Sequence, residues 1–109
     1  MNKVPIPESF MIFGKTYRVS FDSNLKSNHD AVGCLNYTTG KVYLSPNTIE
    51  SPRCKEEIER TFFHELIHAV LYEIGSDKLS GNENLVNLIS SAVHQAFKTA
   101  TYPGGKRTK

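Results

Sequence analysis

The stretch Thr61–Gly75, TFFHELIHAVLYEIG, decides the reading of this chain. Phe62, Phe63, Leu66, Ile67, Ala69, Val70, Leu71 and Ile74 take up nearly every side of a helical wheel. A helix that is apolar all round belongs at the centre of a domain. Yet His64, Glu65 and His68 stand in its middle, and an unpaired carboxylate and two imidazoles are costly to bury.

Outward from that stretch the chain divides in two. Upstream, SP at Ser51-Pro52 reads as an N-cap followed by the first helical residue, where proline's missing N–H costs nothing. Glu56 lies close enough to the N-terminus to favour the helix dipole. Gly75 suits a left-handed stop. A helix over 52–74 is therefore expected, about 34 Å long at 1.5 Å per residue. A short loop, SDKLS, leads to a second helix near 80–101. There Leu85, Leu88, Ile89, Ala92, Val93, Ala96, Phe97 and Ala100 recur with helical spacing, and YPGG ends it.

The front half reads as strands. FMIF and TYRVSF flank Gly14-Lys15, which suits a two-residue type II′ turn. Tyr17, Val19 and Phe21 alternate with Arg18, Ser20 and Asp22, the period of a half-buried strand. SNLKSNHD, residues 23–30, is a polar loop. AVGCLNY, TTG and KVYLS form a second hairpin around Gly40, with Val42 and Leu44 on one face. The fold class is α+β: a small antiparallel sheet of three to four strands packed on a central helix, with a second helix behind it. Residues 1–102 form one domain and 103–109 a basic tail.

Composition narrows the function classes. The 109 residues suffice for one core. Hydrophobic content of 39% and charged content of 22% are ordinary for a globular protein. The net charge is +2, with much of the excess in Lys106, Arg107 and Lys109. No basic stripe interleaved with aromatics supports nucleic-acid binding, and no segment has the length of a membrane span. MNKVPIPESFMIFG lacks the unbroken apolar run of a signal peptide. Cys34 and Cys54 lack CxxC spacing and read as free thiols. A cytoplasmic protein is expected.

His64-Glu65-Leu66-Ile67-His68 is HExxH. Residues at i and i+4 share one helical face, so both imidazoles can converge on one ion, and Zn2+ suits them. Glu65 is rotated about 100° from His64. It is poorly placed as a ligand and well placed as general base on a water brought by the ion. The apolar run supplies a dry wall. A third protein ligand is needed, and the residues alone leave Asp77, Glu83 and His94 open. Glu73 points about 180° from His64 and is excluded. Ser80 and Glu83 also have the spacing of a capping box. Tyr37, Tyr43, Tyr72 or His29 could serve a developing oxyanion, but spacing places none of them. Cys54, near the helix start, reads as a small packed thiol.

HELIHAVLYEIG followed by NENLVNLISSAVHQAF resembles the small zincin-type metallopeptidases of bacteriophages and prophages, distant relatives of the ImmA/IrrE-type peptidases. The resemblance covers residues 33–97. In glutamate-liganded zincins the third ligand lies on the helix after HExxH, often preceded by asparagine, which implies Asn82-Glu83 here. Such enzymes often carry an aspartate four residues later that orients the first histidine. Asn87 stands at that offset, an amide that can accept a hydrogen bond without adding charge. The resemblance implies a zinc peptidase with His64, His68 and Glu83 as ligands and Glu65 as general base. Its substrate would be a protein or peptide, paired with an edge strand near 41–45. The alternative is a zinc-stabilised, catalytically silent module that binds a host or phage protein.

Overall fold

The computed structural model describes residues 4–25 and 32–103. His29, most of the polar loop that holds it, and the tail beyond Pro103 lie outside them. Four strands come first: β1 (Ser9–Ile12), β2 (Lys15–Phe21), β3 (Gly33–Asn36) and β4 (Lys41–Leu44). Three helices follow: α1 (Lys55–Glu73), α2 (Asp77–Ser80) and α3 (Glu83–Thr99). The architecture is α+β, with one sheet in the order β1-β2-β4-β3.

Both hairpins form. In the first, Ile12 pairs with Lys15, so the turn is Phe13-Gly14 rather than Gly14-Lys15. Both turn residues have positive φ, 50° and 83°. That is the type I′ pattern, whose twist matches the strands. Phe13 occupies a conformation that glycine would take more cheaply, and its ring is 80% exposed. Lys15 is drawn into β2, where its ammonium binds Tyr37 O and Glu73. In the second hairpin Gly40 takes φ 68°. A Cβ there would meet Thr16 O at 2.7 Å.

The sheet is mixed rather than wholly antiparallel. β2 and β4 run parallel, with Val19 opposite Val42 and Phe21 opposite Leu44. Turn residues specify each hairpin, but the seam between hairpins is set by packing. Tyr17, Val42 and Leu44 are fully buried and meet Phe62, Phe63 and Ala69 of α1. The strand expected at an edge, 41–45, is therefore interior. The edges are β1 and β3.

Helix α1 lies between this sheet and α3, which accounts for its all-round apolar wheel. It starts at Lys55, three residues later than Pro52. The chain before it is held as a loop: Ser51 N–H donates to Thr48 Oγ1, and Arg53 N–H donates to Asn47 Oδ1. Cys54 takes the cap position, with its N–H bound by Glu57 Oε1 at 3.0 Å. At the other end Gly75 adopts φ 89°. Gly75 N–H reaches Tyr72 O, and Ser76 N–H reaches Leu71 O. This is a Schellman stop.

SDKLS folds as the single turn α2, capped by Ser76 Oγ on Leu79 N–H. Asn82, not Ser80, caps α3, and its Oδ1 accepts from Leu85 N–H. The buried face of α3 is Val86, Ser90, His94 and Lys98. The apolar stripe read from the sequence is thus only half interred. Ile89 and Val93 pack inward, whereas Leu88 is 71% exposed. The cause is Glu59 on α1, which is fully buried and draws His94 and Lys98 into the core.

Candidate metal centre

His64 and His68 stand one turn apart on α1, and α3 begins opposite them. Glu83 is the first residue of α3, fixed by the Asn82 cap. Its Oε1 lies 3.2 Å from His64 Nε2, and its Oε2 lies 3.2 Å from His68 Nε2. The two Nε2 atoms are 3.2 Å apart. Three ligand atoms around a tetrahedral Zn2+, with bonds of about 2.1 Å, stand roughly 3.4 Å from one another. The two histidine contacts use different carboxylate oxygens, and with one ligand atom from each residue the three lie within 4.8 Å of one another, so among the described residues these side chains form a group able to hold such an ion.

Proton placement supports the fit. Ser80 is buried at the end of α2, and its hydroxyl donates to His68 O at 3.1 Å. With its hydrogen spent, Ser80 Oγ accepts from Tyr37 OH at 2.8 Å and from His68 Nδ1–H at 3.4 Å. A proton on Nδ1 leaves the lone pair on Nε2. That lone pair faces a carboxylate oxygen and a second imidazole nitrogen. His64 Nε2 either carries the proton shared among these atoms or is itself an acceptor, and in that form a cation would bridge all three.

Glu65 flanks the triangle without joining it. It is buried, and burial, followed by the charge of Glu83, raises its carboxyl to about 7. Its carboxylate lies against the start of β3. A Cβ on Gly33 would stand 2.9 Å from Glu65 Oε2 and 2.6 Å from Thr61 Cγ2. A carboxyl with a pKa near neutrality is suited to proton transfer. His64 and Glu65 both face a cleft of about 660 Å3, lined also by Val32, Gly33, Arg53, Thr61 and Asn87.

The other candidates lie elsewhere. His94 stands eleven residues along α3 from Glu83, about 16 Å at helical rise. Its Nε2 meets Glu59 Oε1 at 2.9 Å in the core. Asp77 is in the first turn of α2 and outside the triangle. Glu73 accepts from Tyr17 OH and pairs with Lys15, and both partners hold its carboxyl below the usual range. Asn87 lines the cleft without hydrogen-bonding His64. Tyr37 stacks on Tyr72 with ring centroids 4.1 Å apart. Tyr37 therefore works behind His68, through Ser80, and not in the cleft. Tyr43 is on β4, opposite Cys34. Cys34 and Cys54 are free thiols.

Sequence reasoning missed Ser80, Gly33 and Arg53. Ser80 carried a local signal, the S-x-x-E spacing, that pointed to a cap. Its actual partners are 12 and 43 residues away. No helix among the described residues is long and apolar enough to cross a membrane. Comparison with protein-family models, with curated proteins and with solved structures gave no significant match.

Proposed function

We propose that this chain is a zinc-dependent peptidase of the zincin type, acting on peptide bonds in the cytoplasm of a phage-infected or prophage-bearing cell. The observation that carries the reading is the triangle of His64, His68 and Glu83 with Glu65 beside it at the head of an open cleft. A zinc ion in that triangle would supply Lewis acidity and acidify a water towards neutral pH. Glu65 takes the proton from the attacking water and passes it to the leaving amine. Gly33 and the apolar wall of α1 keep its carboxyl close and poorly solvated. Ser80 and Tyr37 keep the His68 proton on Nδ1.

The substrate lies extended along β3. This edge strand has one side unpaired in the sheet, and Gly33 at its start adjoins Glu65. Main-chain pairing of a peptide to a sheet edge supplies affinity with little demand on side chains. The role first assigned to 41–45 passes to this strand.

Glu65→Gln tests the reading. The variant is expected to retain its zinc and to lose turnover of a cleaved peptide by about 100-fold or more. Turnover at the wild-type rate would remove Glu65 from the reaction. A fully zinc-loaded wild type that cleaves nothing, yet binds a protein partner, would instead favour the silent binding module.

A further inference from the structure

The cleft runs from His64 and Glu65 along the N-terminal half of α1, and its wall holds a guanidinium with a particular set of partners. Arg53 Nη1 donates to Ser45 O at 2.7 Å. Its Nη2 donates to Thr61 Oγ1 at 2.7 Å and to Glu57 O at 3.2 Å. All three acceptors are neutral. None of the ion pairs among the described residues includes Arg53. Glu57 is the nearby acid, and its carboxylate is committed to Cys54 N–H.

Arg53 is thus held in place with no carboxylate hydrogen-bonded to it, although the charge of Glu57, which lines the same cleft, acts on it, and two of its five N–H groups have no acceptor among the described residues. Thr61, which holds it, precedes Glu65 by four residues, about 6 Å along the helix. Arg60 stands at the same rim. Its partner Glu56 is 3.5 Å away and both are about half exposed, so this pair is weak and easily exchanged. Asn87 and Ser91 of α3 contribute polar groups to the same cleft. Two guanidiniums, with the Glu57 carboxylate beside them, therefore overlook a polar cleft one helical turn from the reacting position.

We propose that this cleft is a carboxylate subsite, in which Arg53 selects peptides carrying an acidic side chain or a free C-terminus beside the scissile bond. The proposal rests on the peptidase reading for the nature of the ligand. A partly buried guanidinium gains most from an anion, because hydrogen bonds between charged groups are roughly twice as strong as neutral ones. Its fixed position also means little ordering cost on binding.

The test uses three fluorescent octapeptide pools built from neutral residues. In the first, both ends are blocked and each peptide carries one Glu. In the second, Gln replaces that Glu. The third is the Gln pool with a free C-terminal carboxylate. Binding is measured by anisotropy on the zinc-supplemented Glu65→Gln protein, with and without Arg53→Gln. At least one carboxylate pool is expected to bind about tenfold or more tighter than the blocked Gln pool. Whichever does so names the source of the carboxylate. Arg53→Gln should erase that preference, lowering affinity for the favoured carboxylate pool far more than for the blocked Gln pool. Equal binding of all pools overturns the proposal. So does a preference that survives Arg53→Gln, or a loss spread equally over all pools, which would mark Arg53 as structural only.

Arg53→Lys keeps the cation and is expected to retain part of the preference if Arg53→Gln does not fold. An Arg53→Lys protein that binds all pools alike would count against the subsite. Wild-type protein that cleaves no pool but keeps the Arg53-dependent preference would sink the peptidase reading and leave the subsite standing. Cleavage with no difference among the three pools would do the reverse.

Discussion

At the scale of single residues, the HExxH face was legible because helical periodicity alone brings i and i+4 together. Nothing comparable reveals Ser80. Its hydroxyl matters through the His68 carbonyl and Tyr37 OH, and only the fold brings these to it. Its effect is on the imidazole proton. Ser80→Ala removes the acceptor that holds a proton on His68 Nδ1, so it should weaken zinc binding about 10- to 100-fold. Tyr37→Phe leaves that acceptor in place and should cost less. Competition with a chromophoric chelator measures both. Equal affinities for wild type and Ser80→Ala would show that Ser80 is packing alone. Glu83 was separable from His94 and Asp77 only through the resemblance. Wheel position and axial level left them open, because the Asn82 cap that starts α3 one turn from the histidines is hidden behind the competing S-x-x-E pattern.

At the scale of elements, glycines marked both hairpins, and the alternation in β2 and β4 marked their buried faces. The parallel seam between β2 and β4 carried no local mark. It follows from Tyr17, Val42 and Leu44 covering the same face of α1. The stripe on α3 misled for a related reason: one buried charge, Glu59, outweighed several small apolar residues in orienting the helix. β3 meets α1 so closely at Gly33 that an added methyl has no room beside Thr61 and Glu65. Gly33→Ala should therefore push β3 off the helix. It should cost about 1–3 kcal/mol as overpacking and depress peptide turnover, with zinc content preserved. Denaturant unfolding and metal analysis on the same sample check this. Unchanged turnover would mean that Glu65 does not depend on the contact.

At the scale of the whole molecule, Glu59 joins three parts of the chain. Its carboxylate accepts from Val4 N–H, from His94 and from Lys98, with distances of 3.1, 2.9 and 2.9 Å. The N-terminal segment, α1 and α3 meet there, outside the triangle of His64, His68 and Glu83. Removing one partner of a buried ionic group strands the others. Glu59→Ala should lower stability by about 3–5 kcal/mol. Burial alone would raise the Glu59 carboxyl, but the hydrogen bonds from His94, Lys98 and Val4 outweigh it and leave it below the usual range. The native pKa lies below the unfolded one. This stabilisation is therefore complete above the unfolded value, near ~4.3, and is lost as pH falls through the lower native value. Urea melts of wild type between pH 7 and 3 should show that acid-dependent loss, and Glu59→Ala should lack this component. A parallel decline in both proteins would rule it out.

The same architecture separates histidines that composition treats alike. His94 belongs to the buried ionic cluster, and His64 and His68 belong to the triangle. Metal analysis of the purified protein, wild type beside Glu83→Ala and His94→Ala, tests this account most directly. The predicted result is one zinc per chain in wild type, a large loss in Glu83→Ala, and full zinc with lowered stability in His94→Ala. A wild type without stoichiometric metal, or a Glu83→Ala variant that keeps its zinc while His94→Ala loses it, would contradict the account.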